Sequence, residues 1–248
     1  MIRRGFCKER IHMNRNKDIS NKGAVSAIIV AAGRGSRAGL GYNKVLAELD
    51  GVPMLERTAR VFIESGLIHQ LILVIGQDDE EQVKAIIQKL PWDIQWTYGG
   101  DERQESVYNG LKLLSGKTEI VLIHDAARPF VDEAIIRRSI EGAKIYGAAC
   151  VGIPVKDTIK QVDPEGYIRQ TPDRTLLWNA QTPQAFRKEI ILRAHEYARQ
   201  SGIKGTDDAM LAEHIGVRVK MVEGSSRNIK ITSKEDLLWA EAILKSRE

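Results

Sequence analysis

Glycines and cations crowd one short stretch, Ala31-Ala32-Gly33-Arg34-Gly35-Ser36-Arg37, and Lys44 stands seven residues beyond it. Glycines let backbone N–H groups approach an oxyanion closely, while Arg37 and Lys44 add fixed positive charge, so the stretch suits a polyphosphate. It follows an apolar run, Val25 to Val30, that reads as a buried strand, which places the glycines where a strand turns sharply into the next element. Two common phosphate motifs do not fit. A dinucleotide fingerprint needs its third glycine one residue before Gly39 and an acidic residue about 20 residues on, and a P-loop needs Gly-Lys-Ser/Thr.

A second glycine-rich loop is Gly99-Gly100-Asp101-Glu102-Arg103-Gln104-Glu105-Ser106. Its glycines free backbone groups to face a ligand, and Ser106 can read a base edge or a ribose; Asp101 and Glu102 serve equally well as a helix cap. The third loop is His124-Asp125-Ala126-Ala127-Arg128-Pro129, directly after an apolar run. Asp125 there suits a ribose hydroxyl, a metal or a polar substrate, and Arg128 can fork onto a phosphate. The bland alternative is an Asp125–Arg128 pair sealing the sheet edge, with His124 structural. The order of residues offers neither a Ser-His-Asp nor a Cys-His arrangement. Cations with scattered carboxylates suit transfer between phosphates: a phosphate monoester, with a second pKa of ~6, attacks without a general base, and positioning plus charge stabilisation do the rest.

These loops need a scaffold that gathers them. Pro53 to Ser65 carries a helical apolar stripe, Leu71 to Ile75 a buried strand, Glu80 to Leu90 a helix, Ile94 to Tyr98 a strand and Arg103 to Leu114 a helix. The alternation continues with a strand at Glu119 to Ile123, a helix at Asp132 to Tyr146 and a strand at Ala148 to Val155. It predicts a Rossmann-like α/β fold, a mostly parallel sheet with helices on both faces and all three loops at the strands' carboxyl ends. The rhythm breaks over residues 156–174. There two weakly alternating flanks surround Asp163-Pro164-Glu165-Gly166, a turn sequence, and the stretch predicts a protruding β-arm that needs a partner surface. Beyond Gln181-Thr182-Pro183-Gln184 come a helix at Arg187 to Gln200, a helix capped by Thr206-Asp207-Asp208 and running to Ile215, a strand at Val217 to Val222, and a last helix opening on a capping box, Thr232-Ser233-Lys234-Glu235.

Composition sets the outer limits. The chain has 248 residues, 43% hydrophobic and 28% charged, which fits one substantial domain. Cys7 and Cys150 lack metal-ligand partners, so neither a disulfide framework nor a zinc site is expected, and a reducing cytoplasm is the default compartment. The net charge of +4 gathers partly in a basic tail, residues 1–24, that predicts disorder ahead of a domain over 25–248. The tail lacks the apolar run of a secretory signal, no window reaches a membrane span, and no aromatic-interleaved basic stripe argues for nucleic acid.

Six motifs in order carry a resemblance: Ala31-Ala32-Gly33-x-Gly35-x-Arg37 with Lys44, Gly100-Asp101-Glu102-Arg103, His124 to Pro129, Pro154-Val155-Lys156-Asp157-Thr158, and Asn228-Ile229-Lys230. Together they make the chain similar to the 2-C-methyl-D-erythritol 4-phosphate cytidylyltransferases of the non-mevalonate isoprenoid pathway, from about Val25 to Lys245. The resemblance implies transfer of CMP from CTP to the sugar-alcohol phosphate with release of pyrophosphate. It implies that Arg37 and Lys44 bind the triphosphate and stabilise the transition state, and that Ala31, Ala32, Gly33, Gly35, Gly100, Asp101, Arg103 and Ser106 surround the nucleotide. Asp125, Arg128 and Lys230 would meet the acceptor. Thr158 and Arg174 would act in trans, from an arm that embraces a second subunit of a homodimer. Mg²⁺ would be held chiefly by the CTP phosphates, with no firm protein ligand. The chain departs from many relatives in having Asn43-Lys44-Val45 where Pro-Lys-Gln is common, and Arg227 before the Asn228 motif. Two other readings share parts of this pattern: a ribitol 5-phosphate cytidylyltransferase and a non-catalytic CTP sensor.

Overall fold

Alternation of buried residues along four apolar strands decides the architecture. The computed structural model describes residues 24–33 and 43–246. Strand β1 spans Ala24–Val30, β4 Gln70–Ile75, β6 Thr118–Asp125 and β7 Ala148–Pro154; the short pair β2 (Glu48–Leu49) and β3 (Val52–Pro53) forms a separate hairpin. With β5 (Gln95–Tyr98), β10 (Trp178–Arg187) and β11 (Lys220–Glu223), the long strands make a seven-stranded sheet in the order β11-β7-β10-β6-β1-β4-β5. Successive side chains of a strand point to opposite faces. Val25, Ala27 and Ile29 of β1 therefore pack with Leu71, Leu73 and Leu122 against one helical layer, while Ile28, Ile72 and Val121 face the other.

The first layer holds α1 (Met54–Glu64), α2 (Glu80–Ile87), α4 (Glu133–Tyr146) and α7 (Lys234–Lys245); the second holds α3 (Arg103–Leu111), α5 (Lys188–Ser201) and α6 (Asp208–His214). Leu55, Ala59 and Phe62 on α1 are fully buried in the first layer. Caps set several starts: the Asp132 carboxylate accepts the Ile135 N–H at 2.8 Å to open α4, and Asp207 does the same for Met210 at 2.9 Å to open α6.

The parallel α/β expectation stands, with corrections at particular places. Ala24, assigned to the tail, begins β1; residues 1–23 lie outside the described residues. Helices α2 and α3 stop at Ile87 and Leu111, before Leu90 and Leu114, and β11 begins at Lys220, not Val217. The capping box of α7 is one residue later than expected, with Ser233 and Asp236 as its reciprocal pair. The larger correction is β10, over a stretch to which the sequence assigns no element and whose last residue, Arg187, was expected to open the next helix. It runs antiparallel between β6 and β7, the one antiparallel strand of this sheet among the described residues, and its Thr182–Pro183 bond is cis. Within 156–174, only Gln161–Val162 (β8) and Ile168–Gln170 (β9) pair, antiparallel, around the expected turn, where Gly166 takes φ +91° and its N–H meets the Asp163 carbonyl at 3.0 Å.

Strand order reverses beside β1: β4 and β5 lie on one side, β6 on the other. The carboxyl ends of β1 and β6 thus flank the crevice where ligands bind in open α/β sheets.

Candidate active site

At that crevice a cavity of about 420 Å³ opens between the first, second and third loops. Ala31, Ala32 and Gly33 form its β1 side, with Lys44 beside them; Gly100, Asp101, Arg103 and Ser106 form the opposite wall; Asp125 and Lys230 close the third side. Ten of the residues singled out by sequence are thus brought together. Gly35 and Arg37 lie outside the described residues. Arg128, Thr158 and Arg174 do not line the cavity within one chain.

Backbone fixes the walls. The Ala31 N–H reaches the Val74 carbonyl at 2.7 Å, and Ala126 that of Val30 at 3.0 Å, so β1 continues between its neighbours to the cavity's edge. Opposite, the Gly100 N–H donates to the Ser106 hydroxyl at 3.2 Å, which donates onward to the Glu102 carbonyl at 3.1 Å. A Cβ on Gly99 would fall 2.3 Å from Ala32 Cβ, so only glycine lets the two walls approach this closely. Glu105 accepts the Asp101 N–H at 2.8 Å; the helix's own carboxylate, not Asp101 or Glu102 alone, secures the entry to α3.

The third side is a chain of charges. Lys230 Nζ sits 2.7 Å from Asp125 Oδ2, Arg103 Nε 3.0 Å from Asp125 Oδ1, Arg103 Nη1 2.8 Å from Asp208 Oδ2, and His195 Nε2 3.0 Å from Asp208 Oδ1. Burial works against the Asp125 carboxylate, but Arg103 and Lys230 outweigh it and hold the group below the usual carboxylate range. Burial likewise opposes the Arg103 charge, and Asp208 and Asp125 overcome it, so Arg103 is permanently cationic. Asp125 is paired with Arg103 and Lys230 rather than with Arg128. The Arg128 guanidinium donates instead to the carbonyls of Asn228, at 2.7 Å, and Ala180, at 3.4 Å, tying the third loop to β10 and to the segment carrying Lys230.

Behind Asp125 a neutral relay sets its backbone. The Asp125 N–H donates to Thr182 Oγ1 at 3.1 Å, and the Thr182 hydroxyl meets His124 Nδ1 at 3.0 Å. His124 Nε2 lies 3.1 Å from the Arg128 carbonyl, which can only accept, so Nε2 carries the ring proton and Nδ1 receives that of Thr182. Burial pushes the His124 pKa down to about 4, which keeps the ring neutral. The bland reading of His124 was the correct one.

Sequence reasoning missed Asp208, His195 and Thr182 as parts of this site. Asp208 was visible only as a helix cap, a role that Asp207 fills; Thr182 sat in an unassigned loop. The residues do not offer a protein cage for Mg²⁺. Among the described residues no three His, Cys, Asp or Glu side chains are grouped to hold a metal, and both oxygens of Asp125 are engaged by cations.

The chain matches the family described as IspD: 2-C-methyl-D-erythritol 4-phosphate cytidylyltransferase, over residues 25–246. The chain belongs to this family. Cytidylyltransferases of that name from Clostridioides difficile and Caldanaerobacter subterraneus are 50% and 46% identical to it, over 88% and 89% of this chain and 93% and 99% of theirs. Among solved structures, the 4-diphosphocytidyl-2C-methyl-D-erythritol synthase of Anaerococcus prevotii superposes with a TM-score of 0.81 at 38% identity, covering 90% of this chain and 98% of its own. The Thermus thermophilus cytidylyltransferase gives 0.73 at 32%, covering 90% and 99%. The family's fold is the one described above, and the match begins at β1.

Proposed function

We propose that the chain transfers CMP from CTP to 2-C-methyl-D-erythritol 4-phosphate, giving 4-diphosphocytidyl-2-C-methyl-D-erythritol and pyrophosphate. The observation that carries this reading is the convergence of ten residues singled out by sequence on one cavity at the β1/β6 crevice of a family member. The cytosine and ribose take the slot between Ala31-Ala32-Gly33 and Gly100-Asp101-Ser106. An oxygen of the acceptor phosphate attacks the α-phosphorus; the bond from that phosphorus to the bridging oxygen breaks, and the electron pair leaves with pyrophosphate. The acceptor phosphate is already anionic, so no protein base is required. The barrier is repulsion between two polyanions, and Lys44, with Arg37 assigned from sequence, offsets it as charge builds on the α-phosphoryl oxygens. Mg²⁺ carried by the triphosphate would screen the same charge.

Asp125 takes the acceptor's hydroxyls, held in place by Arg103 and Lys230, and Lys230 turns its remaining N–H groups toward the acceptor phosphate. Arg128 supports this half through the Asn228 and Ala180 carbonyls. Thr158 and Arg174, which do not line the cavity of their own chain, reach the site of a second subunit. The support for that arrangement is the apolar surface around them: Tyr167, Ile168 and Leu176 are 74%, 61% and 79% exposed. A hairpin of this kind keeps its order by packing on a partner. No described helix is long and apolar enough to cross a membrane.

Incubation with CTP, Mg²⁺ and each sugar-alcohol phosphate, following pyrophosphate, tests the reading. Release is expected with methylerythritol phosphate. Release with ribitol 5-phosphate alone would give the chain the other acceptor, and release with neither would favour a CTP sensor.

A further inference from the structure

We infer that Asn43 is the positioning residue for Lys44, locking the lysine's backbone to the nucleotide wall and to Asp79 in the turn after β4. This rests on the reading of Lys44 as the cation that stabilises the transition state. Asn43 is 5% exposed and caps the short 3-10 turn Lys44–Leu46, its Oδ1 accepting the Val45 N–H at 3.3 Å. The same amide donates one N–H to the Ala31 carbonyl at 2.7 Å and the other to Asp79 Oδ2 at 2.7 Å. An asparagine amide has two donor hydrogens and one carbonyl oxygen, and here all are engaged.

Each of the three bonds reaches a different element. Ala31 is on the cavity wall, Val45 on the turn that presents Lys44, and Asp79 on the rim beyond β4. A lysine stem has four rotatable carbons, so the region its ammonium can reach is set by where its Cα is held. Asn43 holds that Cα against the wall under the base, and the distance from Lys44 to the bound nucleotide is thereby set before any ligand arrives.

Asp79 sets the sense of the amide. Were the amide turned over, its oxygen would face both the Ala31 carbonyl and a carboxylate, and its donors would face the Val45 N–H. The place for that carboxylate is built: a Cβ on Gly76 would lie 2.6 Å from Asp79 Oδ2, so the glycine leaves the room. Asp79 is thereby a second positioning group, acting on Lys44 through Asn43.

Steady-state kinetics of pyrophosphate release, with thermal midpoints of each variant, test the assignment. Asn43→Ala is expected to lower kcat roughly tenfold or more, as a small displacement of a catalytic cation does, with KM for the sugar phosphate changed less than about threefold. Asp79→Ala should lower kcat by a smaller factor, and the double variant should be no slower than Asn43→Ala, because both act on one chain of contacts. Asn43→Asp, which sets two carboxylates face to face, should be slower still. Adding Asp79→Asn should recover part of that loss, since the new amide can donate to the new carboxylate. A purely structural role would lower the midpoint and leave kcat of the folded fraction unchanged, and that result overturns the inference. So do multiplicative single losses or an Asn43→Asp variant that Asp79→Asn does not rescue. A wild-type chain silent with both acceptors would instead overturn the proposed function, and the inference with it. An active wild type beside an equally active Asn43→Ala sinks the inference alone.

Discussion

Lys44 and Arg103 are both cations in one cavity, yet their proposed work differs. Arg103 lies between two carboxylates, Asp125 and Asp208, and is fixed by them. Lys44 lines the β1 side, where the triphosphate of the proposed substrate would lie. Lys44→Ala should lower kcat by at least ~10²-fold, as loss of a transition-state contact does; turnover measured on the folded fraction, set by a denaturation curve on the same preparation, checks it. Asp208→Ala should do the reverse in first instance. Asp208 is 1% exposed and joins Arg103 to His195, so its removal leaves a buried guanidinium half-paired and should cost roughly 3 kcal/mol or more, read from urea unfolding. Motif residues were legible because their types state a chemistry. Asp208 and His195 were not, since a lone aspartate before a helix reads as a cap, and only tertiary packing brings Arg103, at the start of α3, to it.

At the scale of elements, legibility followed the source of burial. Strands β1, β4, β6 and β7 are buried through aliphatic side chains, and such runs announce themselves. Strand β10 is buried between β6 and β7 through Ala185 and Phe186 but also through Gln181, Thr182 and Gln184, each 6% exposed or less, and these polar residues are tolerated because they are bonded: Gln184 alone meets Asp207, Asp208 and Ala209. Polar residues around a proline spell a loop, and no periodicity reveals partners that the fold supplies later. The hairpin of β8 and β9 was legible from its turn, since Asp163-Pro164-Glu165-Gly166 places proline second and glycine where positive φ is needed. Its proposed role in trans yields an expected outcome of its own. Inactive Arg174→Ala and inactive Lys44→Ala chains, unfolded together and refolded as a mixture, should regain part of wild-type turnover through hybrid dimers. Mixed-dimer formation shown by a tag pull-down, with turnover staying at the level of the separate variants, would remove the hairpin from the neighbour's site.

For the whole molecule, acid is the condition to which this design is exposed. His124 is neutral when folded down to about pH 4, while an unfolded histidine takes its proton near 6.5. Above 6.5 both states are neutral and the group contributes nothing; below it the unfolded state binds the extra proton, so stability is lost as pH falls from about 6.5 to 4 and the loss levels off beneath that. The total is on the order of 3 kcal/mol. Asp125, held low by Arg103 and Lys230, adds a further loss only when pH drops below the ordinary aspartate range near 4. Urea unfolding at half-unit steps from pH 7.5 to 4.5 should show the first decline, and a His124→Gln chain should show a flatter one; equal slopes would assign the decline elsewhere.

The placement of β10 also sets a calendar for the molecule. The cavity wall from Ala31 through Ser106 and the Arg103–Asp125 pair belong to the first 125 residues of the chain. The hydroxyl that holds Asp125 from behind, the carboxylate that completes Arg103 and the ammonium of Lys230 belong to residues after Arg174. A nascent chain emerges from its amino end, so the Ala31–Ser106 side of the cavity is made first and the groups that complete its third side last. Until residue 187 has left the ribosome, β6 has no neighbour on its outer flank and presents an open row of N–H and C=O groups. Translation stopped short of β10 therefore leaves an adhesive edge and half a binding site, and a chaperone that shields β6 during synthesis protects chemistry and solubility together.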